Sequence, residues 1–471
     1  MKERFAIAIL AAGQGTRFRS RRAKVLHAAG GRTLIEHVVR TAAELPSAGV
    51  FVIVGYQAEA VKAELRRSLS DSLRYLHQRE PRGTGHALLV AQRVLQRAAP
   101  SLLVLCGDTP LLTPQTLRQF LKFHAATDCV ASVLTAELAD PTGYGRIVRA
   151  ADGRVAAIVE QKSASAEERK IREVNTGIYC FRTKELFSAL RRVTADPITQ
   201  EYYLTDVVGM LRKRGQPVAA FPAPEASEVA GINNRAELAR ADALLRLRKA
   251  RELMLAGVTI HLPETVRIDP DVAVGADTEL EPGVSLLSRT RIGKDCRIGA
   301  GCVIADSIIA DRVTIRPYCV IAESRIDSEA SVGPFAHLRP GADIGPEARI
   351  GDFVEVKQAR VDRGAKAMHL AYLGDAHIGK NVNVGAGTIT VNYDGVSKHR
   401  TVVEDNAFIG SGSNLIAPVR VGRNAFVAAG STITDEVPAN ALAIARGRQA
   451  NKPGWVTRKK KASARKRAPR Y

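Results

Sequence analysis

The first residues whose types and spacing suit chemistry lie near the N-terminus. The stretch Leu10-Ala11-Ala12-Gly13-Gln14-Gly15-Thr16-Arg17 follows an apolar run, and Lys24 comes shortly after it. Small side chains let backbone N–H groups approach a phosphate, and the two cations can neutralise its charge. Gly107-Asp108 follows another apolar run, where a carboxylate can hold Mg²⁺ against a triphosphate. Spacing alone leaves two alternatives open: the glycines only form a turn, and Asp108 caps a helix.

A second group of polar residues surrounds His369. Transfer of an acyl group to an amine needs a base for the amine proton, and histidine suits this task because its pKa lies near neutrality. A lone histidine is usually structural, but His369 lies near Arg339, Lys357 and Tyr372 along the chain. We therefore predict that His369 is the base of an acyltransferase site.

The elements around the first group alternate between short apolar runs and helical patterns up to about residue 230. Strands are predicted at 5–10, 50–54, 102–105, 130–134, 155–159 and 177–181, and helices at 33–45, 84–97, 114–125 and 203–214. This order is typical of an α/β nucleotide-binding, Rossmann-like domain whose mostly parallel sheet binds ligands at the carboxyl ends of its strands. Residues 235–255 lack Gly and Pro and predict one long linker helix, capped by Asn233 or Asn234.

After Gly257 the pattern changes to a period of six. Aliphatic residues recur from Ile268 to Ile304 in steps of six, slip by one at Ile309, and continue to Ile433 with an interruption at about 361–402. A six-residue period fits neither a helix nor an alternating strand and is the signature of a parallel β-helix with three hexads in each coil. We predict a left-handed parallel β-helix over about 264–446. The interruption is predicted to be an insertion that projects from the coil and carries His369.

The composition restricts the classes of partner. Eight positive charges of the formal net +21 lie in the last stretch, which we expect to be a solvated, disordered tail. Nucleic acid is therefore not an expected partner. No apolar run approaches the roughly 20 residues of a membrane span, so membrane insertion is not expected either.

The cysteines and the N-terminus indicate the compartment. The six cysteines have no CxxC spacing and lie in apolar segments, as expected for buried free thiols in a reducing cytoplasm. The N-terminal apolar run resembles a secretory signal only in part, because it leads directly into the glycine-containing loop. The predicted domains are 1–232 (α/β nucleotide-binding), 233–257 (linker helix), 258–453 (β-helix) and 454–471 (basic tail).

The motifs carry a resemblance to a known family. LAAGQGTR, AKVLH, QREPRGTGHA, CGDTP, PTGYGRIV, VEQK, NTGIY, EYYLTD and GINN occur in the order found in sugar-1-phosphate nucleotidyltransferases. Almost the whole chain outside the tail resembles the bifunctional N-acetylglucosamine-1-phosphate uridylyltransferases/glucosamine-1-phosphate acetyltransferases. The resemblance implies that glucosamine-1-phosphate is acetylated with acetyl-CoA and then receives UMP from UTP. The product, UDP-N-acetylglucosamine, serves peptidoglycan and lipopolysaccharide precursors. The resemblance also implies Mg²⁺ as cofactor and a homotrimer whose acetyl sites combine more than one subunit.

For the first site, the resemblance implies that Gln78, Gly83 and Thr84 read the uracil base. It also implies that Asp108 and Asn233 bind Mg²⁺, and that Arg17 and Lys24 stabilise the phosphates during catalysis. Further expected contacts to UTP or the sugar nucleotide are Leu10, Ala11, Ala12, Gly13, Gly107, Gly145, Glu160, Asn175, Tyr203 and Thr205. Two positions depart from the family: Ala23 replaces its usual Pro, which predicts a less rigid loop, and Cys106 replaces a frequent Tyr.

For the second site, the resemblance assigns His369 as the base. Glucosamine-1-phosphate is expected to contact Arg339, Lys357, Tyr372, Asn383, Asn392 and Lys398. Acetyl-CoA is expected to contact Ala386, Asn392, Tyr393, Ser411, Ala429 and Arg446. Met368 and Val391 depart from the family's Gly and Cys, with small expected effects on packing.

Two other functions compete with this one. The β-helix could be a regulatory and oligomerising scaffold without acyl transfer, which would not need His369, Lys357, Arg339 and Tyr372 together. A nonenzymatic nucleic-acid module built on the basic tail would leave both groups of polar residues unexplained.

Overall fold

The computed structural model describes residues 4–69, 73–197 and 199–467. The chain divides into two compact units, Met1–Glu252 with Ile268–Pro270, and Leu253–Arg267 with Asp271–Tyr471. Each unit has its own sheet architecture, and each contains one of the two predicted sites.

A twisted sheet forms the centre of the N-terminal unit. Its strands, together with a small hairpin (β2 and β3), are β1 (Phe5–Ala11), β2 (Ala28–Ala29), β3 (Arg32–Thr33), β4 (Val50–Val54), β5 (Arg74–His77), β6 (Ser101–Cys106), β7 (Ala131–Glu137), β8 (Arg146–Arg149), β9 (Val155–Val159), β10 (Glu173–Arg182) and β11 (Val218–Pro222). The strand order is β11-β7-β10-β6-β1-β4-β5, with the β8–β9 hairpin attached to β10. Strands β6, β1, β4 and β5 run parallel, whereas β10 is antiparallel to both of its neighbours.

Helices cover both faces of this sheet. They are α1 (Leu34–Ala43), α2 (Ala58–Ser68), α3 (Thr84–Ala98), α4 (Pro114–Ala126), α5 (Thr183–Leu190), α6 (Thr205–Lys213) and α7 (Arg235–Leu255). Strand β1 is apolar throughout because both of its faces are buried. Ala6 and Ala8 belong to one core, whereas Ile7 and Ile9 belong to the core on the opposite face.

The predicted long helix is confirmed as α7. Asn234 caps it, since its Oδ1 accepts the N–H of Glu237 at 2.9 Å. Ala241 of α7 is buried in a small core with Phe18 and Leu111. This helix therefore packs against the N-terminal unit over much of its length, in addition to linking the two predicted domains.

The C-terminal unit is the predicted left-handed parallel β-helix. Its short strands stack in three parallel sheets, here called faces A, B and C. Face A contains Thr259–Ile260, Glu279–Leu280, Arg297–Ile298, Thr314–Ile315, Ser331–Val332, Arg349–Asp352, Lys366–His369, Asn383–Val384, Phe408–Ile409, Phe426–Val427 and Leu442–Ala443. Face B contains Arg267–Ile268, Ser285–Leu287, Val303–Ala305, Val320–Ala322, His337–Leu338, Glu355–Lys357, Tyr372–Gly374, Ile389–Val391, Asn414–Ile416 and Thr432–Ile433. Face C contains Ala273–Val274, Arg291–Ile292, Ile308–Ile309, Arg325–Ile326, Asp343–Ile344, Arg360–Val361, Ala376–Ile378, Thr401–Val403 and Val419–Val421.

The prediction that 361–402 is an insertion projecting from the coil is wrong for most of these residues. The coil continues through strands of all three faces as far as Ile389–Val391. Its inward positions include Ala367 and Thr390, both buried, which an aliphatic pattern does not detect. Val361 and Ile378 each follow the preceding inward residue after five positions instead of six. Only 392–400 leave the coil, as a loop closed by a bridge between Tyr393 and Lys398.

The C-terminal tail also differs from the expectation of disorder. A helix, α8, extends over Trp455–Arg467, while 468–471 lie outside the described residues. Lys, Arg and Ala dominate this segment and are good helix formers, so local propensity favours a helix without a packed face. Its described side chains, up to 463, are all exposed. No helix within 4–69, 73–197 and 199–467 is long and apolar enough to cross a membrane.

Candidate active sites

A cleft of about 430 Å³ opens at the carboxyl ends of β1 and β6. Leu10 of β1 and Cys106 of β6 are register partners, so the segments that follow these strands lie side by side. Predicted residues that line the cleft are Leu10, Ala11, Ala12, Gly13, Arg17, Lys24, Gln78, Gly83, Thr84, Asp108, Tyr203 and Asn233. The structure thus brings most of the first predicted set to one place.

The end of the cleft that is predicted to bind phosphates, here called the phosphate end, is built on a close approach between Gly15 and Lys24. Gly15 has φ +65°, and a Cβ there would lie 2.6 Å from the Cβ of Lys24. The lysine stem therefore packs directly on the loop backbone. Its Nζ makes an ion pair with Asp108 Oδ2 inside the cleft. A phosphate bound in this position would contact both the ammonium group of Lys24 and the backbone N–H groups of the small residues in the loop.

Asp108 and Asn233 reach the cleft from different parts of the chain. The N–H of Ile232 donates to the carbonyl oxygen of Asp108 at 3.0 Å, which holds the two segments together. Thr113, and not Asp108, caps α4, since its Oγ1 accepts the N–H of Thr116 at 3.2 Å. The helix-capping interpretation of Asp108 is therefore wrong. In the described part of the chain, no cluster of three or more His, Cys, Asp or Glu suits a metal.

The residues that are predicted to read the uracil base lie in the cleft at and before the start of α3. Gln78 is buried, and its Nε2 donates to the carbonyl oxygen of Gly83 at 3.1 Å. Gly83 has φ +94°, and a Cβ there would lie 2.7 Å from the carbonyl oxygen of Tyr202. Only glycine fits this position without a shift of the backbone. Thr84 Oγ1 accepts the N–H of Leu204 at 3.1 Å, which ties α3 to the segment before α6.

The predicted sugar residues form two connected pairs beside the cleft. Thr205 Oγ1 donates to Glu160 Oε1 at 3.2 Å, and the N–H of Asn175 donates to the carbonyl oxygen of Gly145 at 2.9 Å. Burial raises the pKa of Glu160 above its usual range. These four residues and Gly107 do not line the 430 Å³ cleft itself, whereas Tyr203 does.

Two further side chains, Arg146 and Cys106, lie close to these predicted residues. Arg146, which the sequence analysis did not select, is fully buried, and its Nη2 donates to Gln161 Oε1 at 2.7 Å. Cys106, one of the departures from the family, lines the cleft, and its Sγ donates to the carbonyl oxygen of Gly177 at 3.4 Å. Burial raises the pKa of this thiol to about 12, so it stays protonated at neutral pH.

In the C-terminal unit, His369 ends a strand of face A and faces a carboxylate from the preceding coil. Asp352 is its register partner, and Asp352 Oδ1 lies 2.6 Å from His369 Nδ1. A carboxylate only accepts hydrogen bonds, so Nδ1 carries the proton and Nε2 is left to accept another. The sequence analysis missed Asp352. The coil length could have identified this residue, because Asp352 precedes His369 by one coil of 17 residues.

Three of the residues that are predicted to hold the sugar phosphate are cations, Arg339, Lys357 and Lys398. Arg339 pairs with Glu355 at 2.7 Å. Lys357 lies beside Lys398 and lowers the pKa of that lysine. Lys398 also lines a groove of about 440 Å³ with Asp375. Two neighbouring ammonium groups repel each other, and a bound phosphate would relieve that repulsion.

The 392–400 loop carries several of the predicted contacts. Asn392 at its base donates from Nδ2 to Asp375 Oδ2 at 2.5 Å. Asp394 shapes the loop tip, since its Oδ1 accepts the N–H groups of Val396 and Ser397. These bonds and a bond to His399 lower the pKa of Asp394. Tyr393 and Lys398 are thereby held at opposite ends of a structured turn.

Three of the predicted acetyl-CoA residues form one column across the coils. The N–H of Gly412 donates to Ala386 O and that of Gly430 donates to Ser411 O, so equivalent corners stack. Arg446 Nη1 donates to the carbonyl oxygen of Ala429 at 3.0 Å, which places this cation at the end of the column. Asn383 lies on face A in the coil that follows His369. Met368 and Val391 are half-buried, and nothing in their surroundings indicates a role beyond packing.

Comparison with known proteins covers both units. The nucleotidyl transferase family matches residues 6–227, and the bacterial transferase hexapeptide repeats match 289–323 and 400–435. A protein of Geobacillus sp. (strain WCH70) described as bifunctional protein GlmU is 49% identical over 458 residues, which are 97% of this chain and 98% of that protein. Proteins of the same description are 50% identical over 451 residues in Exiguobacterium sibiricum (96% of this chain, 99% of that one) and 47% over 468 residues in Koribacter versatilis (98% and 99%).

Proposed function

This chain belongs to the family of bifunctional N-acetylglucosamine-1-phosphate uridylyltransferases/glucosamine-1-phosphate acetyltransferases, and we propose that its two reactions occur at two separate sites, one in each unit. It acetylates glucosamine-1-phosphate with acetyl-CoA and transfers UMP from UTP to N-acetylglucosamine-1-phosphate. The observation that carries the assignment of sites is the pairing of each candidate catalytic group with a carboxylate. Lys24 pairs with Asp108 in the cleft, and His369 pairs with Asp352 on the coil.

In the uridylyl-transfer site, the cleft aligns two phosphate-bearing substrates. An oxygen of the sugar phosphate attacks the α-phosphorus of UTP in line, and pyrophosphate leaves. Lys24 exchanges its Asp108 partner for a phosphate oxygen, and Arg17 compensates charge beside it. Gln78, Gly83 and Thr84 bind the uracil base, while Gly145, Glu160, Asn175, Tyr203 and Thr205 hold the sugar.

Mg²⁺ fits the residues at the phosphate end. Asp108 supplies a carboxylate and Asn233 an amide oxygen, and both line the cleft. Mg²⁺ commonly binds through one or two protein oxygens together with substrate phosphates. When bound there, it would offset the negative charge of the triphosphate.

In the acetyl-transfer site, His369 acts as the general base. Its Nε2 takes a proton from the amine of glucosamine-1-phosphate while that nitrogen attacks the thioester carbonyl. The new C–N bond replaces the C–S bond, and the proton passes to the departing coenzyme A thiolate. Asp352 favours the imidazolium that forms in this step, and Arg339, Lys357 and Lys398 hold the phosphate.

A corner of the coil next to this site suggests self-association as a trimer. Tyr318, Phe335, Phe353 and Leu370 occupy equivalent positions in successive coils and are all exposed. We call these four residues the corner ridge. The ring centroids of its aromatic members lie 5.4 and 5.3 Å apart, and Leu370 directly follows His369. An apolar ridge of this kind favours burial against another subunit, which would place that subunit beside the acetyl site.

The compartment that we propose is the cytoplasm. All six cysteines are free thiols, and five of them are buried. Free thiols of this kind persist in a reducing compartment.

Separate assays of the two half-reactions test the proposal. With UTP and N-acetylglucosamine-1-phosphate the purified chain should release pyrophosphate, and chelation of Mg²⁺ should stop this release until the metal is restored. With acetyl-CoA and glucosamine-1-phosphate it should release free thiol. Pyrophosphate release without thiol release would favour the alternative in which the β-helix is only a scaffold.

A further inference from the structure

The loop that carries Lys24 is held by a side chain outside the cleft. Between the turn Thr16–Phe18 and the turn Lys24–Leu26, the chain passes through exposed Arg21 and Arg22 before it becomes buried at Ala23. Gln57 reaches this loop from the start of α2. Its Oε1 accepts the N–H of Ala23 at 2.8 Å, and its Nε2 donates to the carbonyl oxygen of Arg21 at 2.8 Å.

Gln57 belongs to a turn, 55–57, that also contacts the start of the segment leading from β1 to Lys24. The hydroxyl of Tyr56 also donates to the carbonyl oxygen of Arg21, at 3.1 Å, and the N–H of Tyr56 donates to Ala12 O at 3.1 Å. A Cβ at Gly55 would lie 2.8 Å from that oxygen of Ala12. The turn 55–57 therefore holds the segment 12–24 at two places, at Ala12 near its start and at Arg21 and Ala23 just before Lys24.

The backbone of Ala23 explains what Gln57 contributes. Ala23 has φ −54° and ψ 136°, values that proline adopts readily, and its side chain is only 1% exposed. A proline here would fix φ covalently and would have no N–H to satisfy. Alanine leaves φ free and leaves a buried N–H, and the carboxamide of Gln57 meets both needs through one hydrogen bond.

We propose that Gln57 is a positioning residue of the uridylyl-transfer site, which aims Lys24 at the phosphates by fixing Ala23 and Arg21. The proposal rests on the proposed function of the cleft. It replaces the expectation that Ala23 makes this loop less rigid, because the constraint comes from a side-chain hydrogen bond in place of a proline ring.

The test is a series of single and double variants of the full chain, read by pyrophosphate release. Gln57→Leu removes both hydrogen bonds and should lower kcat by about tenfold with less than about a threefold change in KM for UTP, because a misplaced cation mainly weakens the transition state. In Gln57→Asn, asparagine tolerates the left-handed conformation of this residue, but its shorter side chain does not reach Ala23 and Arg21. For this variant kcat should fall by a similar factor. Adding Ala23→Pro to Gln57→Leu should restore kcat to within about threefold of wild type, since the ring supplies the lost constraint.

Two controls separate this role from general damage. Gln96→Leu, at an exposed position near the end of helix α3, makes the same exchange outside the cleft and should leave both activities unchanged. Acetyl transfer should stay within about twofold of wild type in every variant, because the β-helix is untouched. Wild-type kcat in Gln57→Leu would overturn the role of Gln57, and so would a failure of kcat to recover on adding Ala23→Pro. Either result would leave the assignment of the cleft unaffected. A wild-type chain that transfers acetyl but releases no pyrophosphate would overturn the assignment of the cleft as well.

Discussion

Removal of Asp352 tests the link between coil geometry and acetyl transfer. In Asp352→Ala, His369 loses the carboxylate that lies 2.6 Å from its Nδ1. A hydrogen bond to a charged group contributes about 1.5–3 kcal/mol. The side chains of His369 and Asp352 are 60% and 37% exposed, so solvent screening reduces this to roughly 1–1.5 kcal/mol. At about 1.4 kcal/mol per tenfold in rate, kcat for acetyl transfer should fall about tenfold.

Asparagine at the same position separates charge from orientation. Asp352→Asn keeps an acceptor for the Nδ1 proton but removes the negative charge that favours the imidazolium, so we expect a smaller loss of about threefold. Both variants are assayed by thiol release from acetyl-CoA, with pyrophosphate release as the internal check on folding. The matched control is Asp362→Asn, which alters a second carboxylate–histidine pair (Asp362 with His377, 2.7 Å) and should leave kcat within about twofold. Wild-type acetyl transfer in Asp352→Ala would refute the account of His369 as a base oriented by this carboxylate.

Two further predictions concern charge. Burial raises the pKa of Glu160, so the ionised carboxylate is unfavourable in the folded chain. Glu160→Gln should raise Tm at neutral pH, with a smaller gain on acidification where the carboxyl is already protonated, and should raise KM for N-acetylglucosamine-1-phosphate; a lower Tm would contradict this. Lys357 lowers the pKa of Lys398, so KM for glucosamine-1-phosphate should rise on the alkaline side as Lys398 loses its charge. In Lys357→Gln that rise should move to higher pH, and an unmoved profile would count against the lysine pair as the phosphate site.

The sequence predicted most of the architecture because its signals are local and repeated. The apolar run of β1 and the uniform composition of α7 each indicated an element that the structure contains. The six-residue period indicated the solenoid for the same reason, since each inward residue such as Ile292 or Ile298 is buried in its coil. In the N-terminal unit, strands β2, β3, β5, β8 and β11 and helices α2 and α5 were missed. In β5, exposed and half-buried residues such as Arg74 and Tyr75 give a weak pattern.

The site was predicted less completely because its pairs are distant in sequence. Asp108 and Lys24 are 84 residues apart, and their ion pair depends on the register of β1 with β6. Asp352 was overlooked because the error about the insertion hid the regular coil length around His369. Gln57 was overlooked because a polar residue before a helix has no distinguishing sequence signal. Its role depends on a loop 34 residues away.

The independence of the two sites is the central claim, and a pair of alanine variants tests it most directly. His369→Ala should abolish acetyl transfer and leave uridylyl transfer nearly intact, because the base lies on the β-helix and the cleft does not use it. Asp108→Ala should abolish uridylyl transfer and leave acetyl transfer nearly intact. Both half-reactions are measured separately on each folded variant. Equal loss of the two activities in either variant would contradict the account.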